Sequence, residues 1–204
     1  QEKKSFSFVE FNNPHINKLV KKIKLNSKII KIKKNSITPK LNYIKNSFFL
    51  TKGNIQNLSF ALSIIKKLKL NEKKTFKTIN KFKGLKFRQE IIFKSKNLTV
   101  INDSKATTFE ATKACLMNYK NILWILGGFK KKDDNFNINK LKKNVLSAFI
   151  IGKERSFFKR KIHKKIKYFE TINLKQTMKY IFDELRYMTN KRSAIYVILS
   201  PASA

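Results

Sequence analysis

Asp103, Ser104 and Lys105 break out of an apolar run, LTVI at 98–101. A carboxylate, a hydroxyl and an ammonium directly after a strand that looks buried need either water or a charged ligand. Thr107-Thr108-Phe109-Glu110 follows the capping-box pattern, which predicts a helix with Thr107 as N-cap and Glu110 reaching back to it. The free amides and dipole at such a helix start favour an anion, and Lys105 adds a full positive charge beside them. Asp103 is suited to holding Lys105, to binding a hydroxyl or to helping hold a metal ion. Taken alone, a plain capped helix beside a solvated ion pair accounts for the stretch equally well.

Two further segments leave apolar runs in the same way. Gly127-Gly128 follows NILWIL and is itself followed, after Phe129, by Lys130, Lys131 and Lys132. A glycine pair lets the backbone turn sharply and approach a ligand closely. The third segment, SPASA at 200–204, ends the chain after AIYVIL. No GxGxxG and no GxxxxGK[ST] phosphate loop occurs. His15 and His163 have no Cys, Asp or Glu at metal-ligand spacing, so no zinc site is expected. Cys115 is expected as a small core residue, and no Ser-His-Asp arrangement is visible.

These residues must be positioned by the elements around them. Residues 5–9 and 28–33 read as short strands flanking a helical HINKLVKKI, a β-α-β start. After a polar stretch, 34–47, the residues Ile55, Leu58, Leu62, Ile65 and Leu68 fall at helical spacing. A second helix is predicted over 72–82, and Gly84 marks a boundary. Beyond it, QEIIF and LTVIN predict a hairpin. Strands are predicted at 122–126, 147–151, 166–169 and 194–199, with helices between them. The clearest helix is 174–189, with an apolar stripe of Leu174, Met178, Ile181, Leu185 and Met188. Strands alternating with helices predict an α/β fold with a mostly parallel sheet covered on both faces. Ligands of such sheets sit at the carboxyl ends of the strands, which is where all three unusual segments emerge.

Composition bounds the function classes. The 204 residues suit one or two small domains. No apolar run approaches the ~20 residues of a membrane span, and no signal peptide is expected at the start. One cysteine allows no internal disulfide, in keeping with a cytoplasmic setting. The formal charge of +35 invites a nucleic-acid reading. Of the 47 basic residues, however, only Arg88, Arg155, Arg160, Arg186 and Arg192 are arginine, and the lysines are scattered along the whole chain. They accompany abundant Asn, Ile and Phe, the amino acids of AT-rich codons. Nucleic acid is therefore not expected as the main partner.

Taken in order, GNIQN at 53–57, FKGLKFRQE at 82–90, INDSKATT at 101–108, LGG at 126–128 and LSPASA at 199–204 resemble the Mur ligase family, in particular its D-glutamate-adding branch. The resemblance implies a partial central ATP-binding domain over 1–84. It implies a Rossmann-like C-terminal domain, incomplete at its end, over 85–204. It further implies an ATP- and Mg2+-dependent ligase of peptidoglycan synthesis, cytoplasmic and monomeric. Such an enzyme joins D-glutamate to UDP-N-acetylmuramoyl-L-alanine through an acyl phosphate. By the same resemblance, Lys105, Thr107 and Lys131 match residues that hold D-glutamate, with Lys130 and Lys132 as alternatives to Lys131. Asn54, Arg88 and Asp103 match residues that meet the nucleotide. No catalytic or metal residue is expected within these 204; the phosphate loop and the magnesium ligands are expected before Gln1. More of the D-glutamate pocket is expected after Ala204, so this stretch alone is expected to be inactive. Gly53, Phe87 and Thr108 depart from the family's usual His, His and Asn. The alternatives are another Mur-type or folylpolyglutamate-type ligase, which lacks Asp-Ser-Lys-Ala-Thr, or a basic nucleic-acid-binding module that kept the fold.

Overall fold

The apolar run at 122–127 is buried at every position, the pattern of a central parallel strand covered on both faces. In the computed structural model, residues 5–23, 27–33, 36–129, 136–188 and 193–203 are described. The chain divides into two compact units, Gln1–Lys83 and Gly84–Ala204.

The first unit opens with β1 (Phe6–Glu10), α1 (Pro14–Lys22) and β2 (Lys28–Ile32). The two strands pair in parallel, Phe6 opposite Lys28 through Glu10 opposite Ile32. Helix α1 starts where it does because Pro14 cannot donate and Asn13 caps, its side chain accepting from the amides of His15 and Ile16. The polar stretch read from the sequence holds two 3-10 turns, Thr38–Tyr43 and Ser47–Leu50, followed by α2 (Lys52–Lys67) and α3 (Glu72–Lys81). Asparagines answer the backbone there. The Asn46 amide donates to the carbonyls of Ile79 and Phe82. Asn80 accepts from the Lys45 amide and donates to the Tyr43 carbonyl. Ile37, Ile44, Leu58 and Ile79 form the core, with Ile55, Leu62 and Phe76 against it. Leu68, expected on the buried stripe, is the helix C-cap and is 62% exposed.

The second unit contains β3 (Glu90–Lys94), β4 (Leu98–Asn102), α4 (Phe109–Leu116), β5 (Ile122–Gly127), β6 (Val145–Ile151), α5 (Arg155–Ile162), β7 (Lys167–Glu170), α6 (Leu174–Met188) and β8 (Ile195–Leu199). The sheet order is β3-β4-β8-β5-β6-β7. Only the expected hairpin partner β3 runs antiparallel; the other four pairings are parallel. Side chains alternate across β5. Ile122, Trp124 and Leu126 pack with Phe109, Leu116, Phe158 and Ile162 of α4 and α5. Leu123 and Ile125 pack on the opposite face with Phe149, Val197 and Ile181. Met178, Leu185 and Met188 of the predicted stripe join that second layer, while Leu174 at the helix start is 44% exposed.

Candidate functional site

Strands β4, β8 and β5 are neighbours, so the segments that leave their carboxyl ends meet at one sheet edge. The convergence joins segments far apart in sequence and is densely bonded. The Asp103 amide donates to the Leu199 carbonyl, the Ser200 amide to the Ile125 carbonyl and the Gly127 amide to the Pro201 carbonyl. Trp124 Nε1 donates to the Ser200 carbonyl at 2.9 Å, and Ser203 Oγ donates to the Gly127 carbonyl at 2.6 Å. Glycine is required at 127. Its φ is +132°, and a Cβ there would lie 1.9 Å from the Ile151 carbonyl oxygen.

Asp103 is at the centre of this edge and only 5% exposed. Its Oδ1 accepts from the Gln89 amide at 3.1 Å, and its Oδ2 accepts from Ser200 Oγ at 2.9 Å. Ser200 Oγ in turn lies 2.8 Å from Thr112 Oγ1 on α4. Burial pushes the carboxyl's pKa up. Ser200, the Gln89 amide, the Cys115 thiol and the nearby Arg88 guanidinium partly offset that rise. Cys115, fully buried, has its thiol pushed well above the ordinary range, first by burial and then by the adjacent Asp103 charge. It is the core residue the sequence suggests, and a poor nucleophile.

The loop after β4 turns tightly. Ser104 donates from its amide to Asn102 Oδ1, Ala106 to the Asp103 carbonyl and Thr107 to the Lys105 carbonyl. Lys105 and Thr107 are exposed, Ser104 half-buried. The N-cap of α4 is Thr108 rather than Thr107: its Oγ1 accepts from the Ala111 amide at 3.3 Å. Glu110 does not reach back; it pairs with Lys113 one turn on. The register moves by one because Phe109, 1% exposed, must face the core at the first helical position. Thr107 is thereby freed from capping and stands exposed beside Lys105.

The site residues expected from the sequence thus fall into three sets. Lys105, Thr107, Asp103 and Arg88 are assembled at the carboxyl edge of the second unit, Arg88 on an exposed loop whose neighbour Gln89 bonds Asp103. Asn54 lies in the first unit, half-buried on α2, its amide donating to the Phe48 carbonyl at 2.7 Å. Lys131, with Lys130 and Lys132, lies outside the described residues. Asp103 is not the partner of Lys105; its bonds go to Ser200 and Gln89. Ser200, Gln89 and Thr112 had no assigned role in the sequence reading. The one available signal for Ser200 was a hydroxyl directly after an apolar strand at the shared edge. Among the described residues no three His, Cys, Asp or Glu side chains gather as metal ligands.

The architecture is a Rossmann-like α/β domain with polar and cationic groups at the carboxyl edge of its parallel sheet. Its fold is similar to two crystal structures of MurF from Acinetobacter baumannii. These have TM-scores of 0.54 and 0.52 at 16% and 14% identity, covering 73% and 74% of this chain and 34% and 35% of those chains. No family model matches. The chain is 32% identical over 152 residues to the UDP-N-acetylmuramoylalanine–D-glutamate ligase of Wolbachia sp. subsp. Brugia malayi, covering 74% of this chain and 30% of that protein. It is 36% identical over 155 residues to the ligase of the same name from Francisella tularensis strain SCHU S4, covering 74% of this chain and 36% of the relative. Over this segment the chain belongs to the Mur ligase family. It spans about a third of the length of the curated relatives it matches.

Proposed function

We propose that the chain is part of an ATP-dependent ligase that adds D-glutamate to UDP-N-acetylmuramoyl-L-alanine in peptidoglycan synthesis. Residues 85–204 are its amino-acid-presenting domain. The observation that carries this reading is the meeting of the Asp103–Thr108 loop, Ser200 and Gly127 on three adjacent strands. It gives one edge an exposed lysine, an exposed threonine and a nearby arginine. D-Glutamate carries two carboxylates, and an ammonium with hydroxyl and amide donors is their complement. In this reading Lys105 and Thr107 hold D-glutamate, with Lys131 as a second cation. Arg88 and Asp103 serve the nucleotide side, and Asn54 the adenine from residues 1–84, the remaining part of the ATP-binding domain.

ATP would supply the phosphoryl group that activates the acceptor carboxylate, with Mg2+ screening its charge. This chain's residues bind and orient the incoming amino acid. Cys115, buried and with its thiol pKa pushed up, is not a nucleophile for that step. The test is phosphate release by the complete enzyme that carries this chain, with each substrate left out in turn. Release that requires D-glutamate and UDP-N-acetylmuramoyl-L-alanine together supports the reading. Release indifferent to D-glutamate, or dependent on another amino acid, overturns it.

A further inference from the structure

Asp103 and Ser200 present little surface of their own, being 5% and 0% exposed. What they do hold is the loop at 84–89. Two non-glycine residues of that loop sit in the left-handed region, Phe87 at φ +65° and Gln89 at φ +48°. Such residues cost about 1–3 kcal/mol each and persist only where the surroundings fix them. Here three bonds do so. The Gln89 amide donates to Asp103 Oδ1, the Lys105 amide donates to the Phe87 carbonyl and the Phe87 amide donates to Glu90 Oε2. Arg88 lies between the two strained residues. The other end of the chain of contacts is rigid, because Ser200 is anchored through its own amide and carbonyl to Ile125 and Trp124 of β5.

We propose that Asp103 and Ser200 are positioning residues that clamp the 84–89 loop to the sheet edge. The clamp sets Arg88 and the Lys105 turn in one fixed relation. This rests on the ligase reading for its purpose, but not for its geometry. It gives Asp103 an action through Gln89 and Lys105 that needs no ligand at the edge. It also gives the serine of Ser200-Pro201 a task that links the segment after β8 to residues more than a hundred positions earlier.

Amide hydrogen exchange in the full 204-residue chain, wild type and variants, reads the clamp without any ligand. In Asp103→Ala the Gln89 and Lys105 amides should exchange about tenfold faster or more, since the Gln89 amide loses its acceptor and the freed loop draws the Phe87 carbonyl away from the Lys105 amide. Asp103→Asn retains an acceptor oxygen and should keep both amides protected, with β5 and β6 amides unchanged in either variant. Unchanged protection in Asp103→Ala, or equal loss in Asp103→Asn, overturns the proposal. Should Asp103→Ala not fold, Ser200→Ala decides. It should loosen the same two amides and spare β5, and a uniform loss or no loss contradicts the clamp. In the complete enzyme, Asp103→Ala should raise KM for D-glutamate about tenfold; an unchanged KM for D-glutamate overturns the positioning role. An enzyme indifferent to D-glutamate whose exchange pattern still follows this order removes the ligase reading and leaves the clamp standing.

Discussion

The two units use the same kinds of residue with very different efficiency. In 84–204 every residue of β5 is buried, and two apolar layers close over the sheet. Among the described residues of 1–83, the core cluster is Ile37, Ile44, Leu58 and Ile79 with their partly buried neighbours. Helix α1 buries nothing completely, and Leu19, Ile23, Tyr43, Leu68 and Leu70 are all exposed. Among the described residues, the first unit's sheet has two parallel strands, too few for independent stability without packing partners. Composition alone therefore does not make a core. A central strand with neighbours on both sides does, because it lets alternate residues feed two layers at once. The candidate site lies on the better-packed unit, as precise placement of short polar side chains demands.

The largest effect that would break this contrast is a truncation in each core. Trp124→Ala removes a fully buried ring that also bonds Ser200, and should cost about 3–5 kcal/mol in denaturant unfolding followed by near-ultraviolet signals. Leu58→Ala, at 2% exposure in the smaller core, should cost less, about 2 kcal/mol. A reversed order would mean the first unit is the tighter one. A smaller effect sharpens the picture of Asp103. Burial raises its carboxyl above 3.8, so the folded protein holds that proton more tightly than the unfolded chain. The group's stabilising contribution is complete below the unfolded value and is lost as pH rises through the folded one. Asp103→Asn should therefore gain on wild type as pH rises from acid to neutral, seen as a growing difference in Tm. A difference that shrinks over that range contradicts the sign. The smallest effect is on the first unit's surface, where Lys40 pairs with Glu72 and both side chains are about half exposed. Glu72→Gln should change unfolding free energy by less than about 1 kcal/mol, and a larger loss would reveal a core contribution from that corner.

Much of this was legible in the sequence, for identifiable reasons. The strands at 122–127 and 195–199 announced themselves as short apolar runs, and α6 as a stripe at helical period. Sheet order was not legible, since nothing local says that β8 inserts between β4 and β5; yet that insertion brings Ser200 to Asp103. The capping register slipped by one because Thr107 and Thr108 are both good caps, and only the burial of Phe109 decides between them. The 3-10 turns after residue 37 were hidden because what fixes them is partly remote: Asn80 of α3 donates to the Tyr43 carbonyl, and Asn46, the cap of the second turn, is tied to the end of α3. Lys105 and Arg88 were found by charge and resemblance. The buried hydroxyl and amide that place them carry no local signature.

The central claim is that the edge built from β4, β8 and β5 receives D-glutamate. Steady-state kinetics of Lys105→Ala in the complete enzyme address it most directly. Loss of one charged contact to a carboxylate should raise KM for D-glutamate about tenfold to a hundredfold, with KM for ATP staying within about twofold. An unchanged D-glutamate requirement, or an equal rise for ATP, would contradict that claim.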